Sequence, residues 1–153
     1  MIVDRIDRAI LTALQADGAL SHAELAARVG ASTASCWRRI KALEAAGILL
    51  GSVRLVDPAK VDCGVNVMCH VRLRSHARDD RAGFEAFVET RGEILECYSM
   101  SGEWDYLLRV VAGDIARYDR FLMRTLLDHP CVATASSHFA MSQTKYTTAL
   151  PLG

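Results

Sequence analysis

Between residues 21 and 44, SHAELAARVGASTASCWRRIKALE, the chain has room for two helices and almost nothing between them. Ser21 and Glu24 have the S-x-x-E spacing of a capping box, in which the hydroxyl satisfies an early amide and the carboxylate reaches back. Leu25 and Val29 supply apolar contacts, and Gly30 can take the left-handed conformation that ends a helix tightly. Ser32 then stands ready to cap a second helix. Within that helix Cys36, Ile40 and Leu43 recur at i, i+4 and i+7, while Ala34, Arg38 and Lys41 fall on the opposite side. Upstream, VDRIDRAILTALQ sets Ile6, Ile10, Leu11 and Leu14 on one side of a further helix. Asp4 and Asp7 lie near the positive end of its dipole, and Asp17 and Gly18 stop it.

Helix, short helix, tight glycine turn, helix is the helix-turn-helix pattern, whose second member reads bases while the first lies across the backbone. The candidate contacts to double-stranded DNA are Ser32, Thr33, Ala34, Ser35, Trp37, Arg38 and Lys41. Arg38 and Lys41 suit phosphates or guanine edges, Thr33 and Ser35 suit phosphates near the helix start, and Ala34 keeps the face small. Trp37 sits at the border of the two faces and reads as a core-edge aromatic or a DNA contact. A plain three-helix packet with ordinary surface cations is the alternative.

Charge bears on this choice. The net charge is zero, which excludes nucleic-acid binding by overall charge alone. Residues 1–56 hold seven Lys or Arg against five Asp or Glu, and residues 57–153 hold eleven against thirteen, so the cationic bias lies with the helical segment. Cys36, Cys63, Cys69, Cys97 and Cys131 are odd in number and form no C-x-x-C pair, which points away from a zinc site or disulfide framework. Apolar runs are broken well short of a membrane span and the N-terminus has no signal-peptide core, so a soluble cytoplasmic protein is expected.

The remainder reads as a second domain. Residues 1–50 form the helix-turn-helix domain, residues 51–63 a linker strand and hinge ended by Asp57 and Pro58, and residues 64–153 the second domain. Val65, Val67, Cys69, Val71 and Leu73 alternate with Asn66, Met68, His70 and Arg72, the mark of a half-buried strand. A helix around Phe84, Phe87 and Val88 follows. Residues 94–101 and 105–112 read as a hairpin around the turn GEWD, Ile115 to Leu126 as a second amphipathic helix, and residues 132–141 as a fourth strand. The expected class is α+β, a winged-helix-like helix-turn-helix domain followed by a ferredoxin-like βαββαβ domain. Both helices should cover one sheet face, leaving the other, with residues such as Met68, His70, Ser137 and Phe139 or their neighbours, to a second copy by a two-fold contact.

With both halves in place, the chain resembles the Lrp/AsnC, or feast/famine, transcription regulators. The likeness rests on VDRIDRAILTALQADG as the opening helix, LAARVGASTASCWRRIKALEAAGIL as the reading head, GEWDYLLRVVAGDIARYDRFL as the effector-domain core and KYTTALPL as the ending. The resemblance implies homodimers through the second domain, assembly into octamers or related rings, and DNA binding altered by a small effector, often an amino acid. By motif it implies an effector loop of Met100, Ser101, Gly102, Glu103, Trp104 and Asp105, with Ala135 and Ser137 on the last strand beside it. Free amides in a turn hold a carboxylate and Asp105 suits an α-ammonium; a simple hairpin turn, with Gly102 there for geometry, remains the alternative.

Some positions depart from the family pattern. Ala135 lacks a hydroxyl often found there, which implies a less polar ligand or none, and Cys131 stands where Gly is common. Ala31, Ala34 and Ala42 replace a Leu, a Ser and a base, and the missing base at 42 predicts a shallower salt dependence of DNA binding. Some haem-pathway decarboxylases resemble the family in both domains, so an enzyme stays open as a rival. The sequence shows no nucleophile motif, phosphate loop or metal-ligand spacing, so no catalytic residue, cofactor or metal is expected. His22, His70, His76, His129 and His138 are dispersed, and convergence of His70 with His138 in a closed pocket would favour catalysis. A sensor whose DNA head serves only assembly is a third reading.

Overall fold

A computed structural model describes residues 2–152 and divides the chain into two compact units, Met1–Leu55 with Thr144–Gly153, and Val56–Gln143. The first unit holds α1 (Arg5–Ala16), α2 (His22–Val29) and α3 (Thr33–Ala45). Each start is set by a side-chain cap, and those of α2 and α3 are the expected ones. Asp4 caps α1 and forms a reciprocal box with Asp7, Ser21 and Glu24 do the same for α2, and Ser32 accepts from the Ser35 amide to open α3. Gly30 ends α2 at φ 67°, the left-handed angle a β-carbon would resist. Ile10, Leu11, Leu25, Ala26, Cys36, Ile40 and Leu43 form the core.

Two expectations at the borders of this unit need correction. The run 51–56 has no regular secondary structure and pairs with no strand among the described residues, so it is neither a ladder strand nor a wing. Residues 144–152, expected with the second domain, belong to the helical unit. The Leu150 amide donates to Gln15 Oε1 at 2.6 Å, Gln15 Nε2 donates back to the Leu150 carbonyl at 3.4 Å, and Leu152 packs on the helical core. The reason is burial: Leu152 finds apolar cover there after the last strand has ended.

The second unit carries β1 (Val65–Leu73), α4 (Arg78–Glu89), β2 (Ile94–Ser99), β3 (Tyr106–Ala112), α5 (Ile115–Phe121) and β4 (Val132–Phe139). Its four strands are antiparallel in the order β2-β3-β1-β4, the ferredoxin-like arrangement expected from the element order. Period-two burial along β1 places Val67, Cys69, Val71 and Leu73 in a core with Phe84 of α4, Tyr118 and Phe121 of α5, and Leu126. The second helix is shorter than its periodicity predicts, since α5 gives way at Leu122 to a π-helical turn, Leu122–Leu126. The β2–β3 connection is likewise longer than a tight turn. It spans residues 100–105 and is closed by the Met100 amide on the Asp105 carbonyl at 2.8 Å.

Candidate functional site

The outward face of α3 separates two adjacent arginines. Arg38 is exposed and has no partner among the described residues. Arg39, one step round the helix, turns back: its Nη1 lies 2.8 Å from Asp4 Oδ2 and 2.7 Å from Asp7 Oδ1, and Asp7 is only 2 % exposed. Arg39 therefore ties α3 to the start of α1, a role the sequence reading missed. Its position three residues after Cys36, on the flank of the buried stripe, was the available signal. Of the other predicted contacts, Thr33 and Ala34 are exposed, Ser35 is half-buried and Ser32 Oγ already accepts from the Ser35 amide. Trp37 is 52 % exposed, and Lys41 Nζ pairs with Glu44 at 2.8 Å on the surface.

The Asp4 clamp makes the helical unit pH-sensitive. Hydrogen bonds from the Asp7 amide and then from Arg39 hold the Asp4 carboxyl below its ordinary value of 3.8. A depressed acid contributes stability that is fully present above the unfolded value and is lost as pH falls through the lowered native one. The Asp4 contribution to stability should thus begin to fade below about pH 3.8. Arg39→Ala is expected to move the acid midpoint upward in a titration followed by circular dichroism, whereas Arg38→Ala leaves it in place.

Loop 100–105 is anchored to β1 over half its length. Arg72 Nη2 pairs with Glu103 Oε1 at 2.8 Å, Arg72 Nε donates to the Glu103 carbonyl, and the guanidinium lies 5.1 Å from the centre of the Trp104 ring. Asp105 Oδ2 accepts from the Leu73 amide at 2.7 Å, and Oδ1 faces His76 Nε2 at 2.9 Å. Met100, Ser101 and Gly102 form the exposed remainder. Gly102 has φ 110°, and a β-carbon there would meet nothing within 4 Å. The backbone angle, not crowding, calls for glycine.

The two β4 residues do not join this loop. Ala135 pairs in register with Val71 and Ser137 with Cys69, so both face the helices. Ala135 packs on the core, and Ser137 Oγ shares a hydrogen bond with the buried Tyr118 hydroxyl. Burial pushes the Tyr118 phenol well above its usual value, so it stays protonated and available to that bond. Ser137→Ala should cost about 1 kcal/mol in urea unfolding by removing a hydrogen-bond partner from Tyr118. The open face carries Ser136 and His138, the neighbours of Ser137 and Phe139, beside Met68 and His70. Phe139 packs edge-on against Tyr118. His70 and His138 do meet, at 5.3 Å between ring centres with Trp104 5.7 Å from His70, but on the open sheet face and not in a closed cavity.

Residues 3–44 match the AsnC-type helix-turn-helix domain and residues 66–150 the Lrp/AsnC ligand binding domain. The chain is 40 % identical over 151 residues, 99 % of each chain, to the DNA-binding transcriptional activator DecR of Escherichia coli K12. Among solved structures, a transcriptional regulator of Neisseria meningitidis in complex with L-Met superposes with a TM-score of 0.95 at 39 % identity, covering 99 % of this chain and 97 % of that one. An AsnC family regulator from Agrobacterium tumefaciens gives 0.92 at 47 % identity, covering 97 % of each. Full-length likeness at these identities, with both domains in order, means that the chain belongs to the Lrp/AsnC family of transcription regulators.

Proposed function

We propose that the chain is a homo-oligomeric regulator that reads double-stranded DNA through α3 and adjusts that binding when an amino acid occupies the exposed tip of loop 100–105. The observation that carries the DNA assignment is Arg38, exposed and without a partner among the described residues, on the outward face of a capped helix-turn-helix. Ala34 and Lys41 share that face, with Thr33, Ser35 and Trp37 at its margins and Ser32 opening the helix. The L-Met complex of the Neisseria relative supports an amino-acid effector. In this chain Met100, Ser101 and Gly102 are the accessible contacts, with Asp105 behind them for an α-ammonium and Glu103 and Trp104 held against β1 as support. Ala135 and Ser137 act through the core, not by touching the ligand.

A second copy suits both units. The open sheet face presents Met68, Leu107 and Tyr98 beside the Arg109–Glu96 pair, and residues 50–56 leave Leu50, Val53, Leu55 and Val56 exposed on backbone that joins no strand among the described residues. A two-fold dimer covers such surfaces and spaces two reading heads along one duplex, and further assembly to an octamer or similar ring gives an effector states to choose between. The family assignment points away from catalysis. A gel shift on the protein's own upstream DNA tests the reading: binding that steepens with falling salt supports it, and failure to prefer that DNA over a random duplex at physiological salt overturns it.

A further inference from the structure

At the end of the sheet far from loop 100–105 lies a pocket of about 580 Å³, within the range of small-molecule sites. It opens beside Gly113, just past the last residue of β3, so roughly 20 Å of strand separates it from the loop. Its lining carries charges of both signs, Arg117 and Arg120 of α5 together with Asp62 and Glu93, and the apolar side chains Val111 and Phe121. Arg120 has no partner among the described residues, and Arg117 makes only a 3.5 Å contact to Asp114 on the surface. Gly113 shapes the floor: a β-carbon there would lie 2.7 Å from Arg117 Nη1 and 2.8 Å from the Asp62 carbonyl oxygen. A glycine is thus what lets the Asp62 loop and the Arg117 side chain close on the same spot.

Exposed guanidinium groups alone would suit any anion, but two acidic residues in the same lining repel a simple one. A molecule with an anionic and a cationic end satisfies both sets, and Val111 and Phe121 in the same lining suit a short carbon skeleton. We propose that this pocket is a second small-molecule site for an amphoteric ligand of amino-acid to dipeptide size, its carboxylate on Arg117 and Arg120 and its ammonium on Asp62 and Glu93. It is independent of the loop tip, so two different small molecules can be sensed by one chain.

Isothermal titration of the full chain with the common amino acids and with glycyl dipeptides, using acetate as a control, tests this. The expected result is at least one zwitterion whose affinity drops tenfold or more in Arg120→Glu and in Glu93→Gln but stays within twofold in Asp105→Asn, with acetate binding far more weakly. Arg120 and the Glu93 side chain are exposed, so unchanged melting curves for both variants confirm that folding is intact. The amino-acid and dipeptide arms separate the two ligand sizes. No binding by any probe, or binding unaffected by both pocket variants, overturns the proposal.

Discussion

Replacing Arg38 and Lys41 together by Ala is expected to weaken operator binding about 100-fold or more at physiological salt while leaving the melting curve unchanged. Arg38 has no partner within the described chain, and Lys41 gives up only a surface contact to Glu44, a pair worth little to stability. In a dimer the double variant removes up to four phosphate contacts, so the slope of log affinity against log salt should become shallower by roughly 3 to 4. Arg39→Ala is the paired control. It leaves the outward face intact but strands the buried Asp7 carboxylate, so it should lower the melting midpoint by roughly 5–10 °C. Its DNA affinity, measured where the protein stays folded, should stay within a few-fold of wild type. If Arg38 and Lys41 can be lost with no change in affinity or salt slope, α3 is not the reading helix.

The contrast between Arg38 and Arg39 shows what a sequence can and cannot say about such a head. Caps, the glycine turn and the stripe of Cys36, Ile40 and Leu43 were legible because each is a local rule with a fixed spacing. The destination of Arg39 depends on where α1 comes to rest, which no local rule specifies. In the second unit the strand order followed from alternation, and β1 buried the expected residues. The β4 side chains were harder. Val132–Phe139 has no clean alternation, and only pairing of Cys69 with Ser137 shows that Ser137 faces Tyr118. The tail was misplaced for a related reason, since the contact of Gln15 with Leu150 spans nearly the whole chain. The opposite-end pocket left no motif because its charged residues come from separate segments brought together by topology.

Asp105 carries the second large effect because it serves two masters that substitution can separate. Asp105→Ala leaves the Leu73 amide without its 2.7 Å acceptor and should destabilise the second unit by about 1–3 kcal/mol. Lost ligand binding in that variant would therefore be ambiguous. Asp105→Asn keeps an oxygen for the Leu73 amide and removes the charge that an α-ammonium needs, so its melting midpoint in the absence of ligand should stay within a degree or two of wild type. An amino acid held at a hundred times its Kd stabilises the wild-type fold by about 2.7 kcal/mol. With the charge gone, a tenfold weaker ligand at the same concentration gives only about half that stabilisation, because the effect grows with the logarithm of the ratio of ligand concentration to Kd. A thermal-shift series on the two proteins reads the difference directly. An Asn variant that keeps the full shift for every amino acid stabilising the wild type means that Asp105 only holds the hairpin, and that any ligand at the loop tip is gripped by the exposed backbone around Gly102 alone.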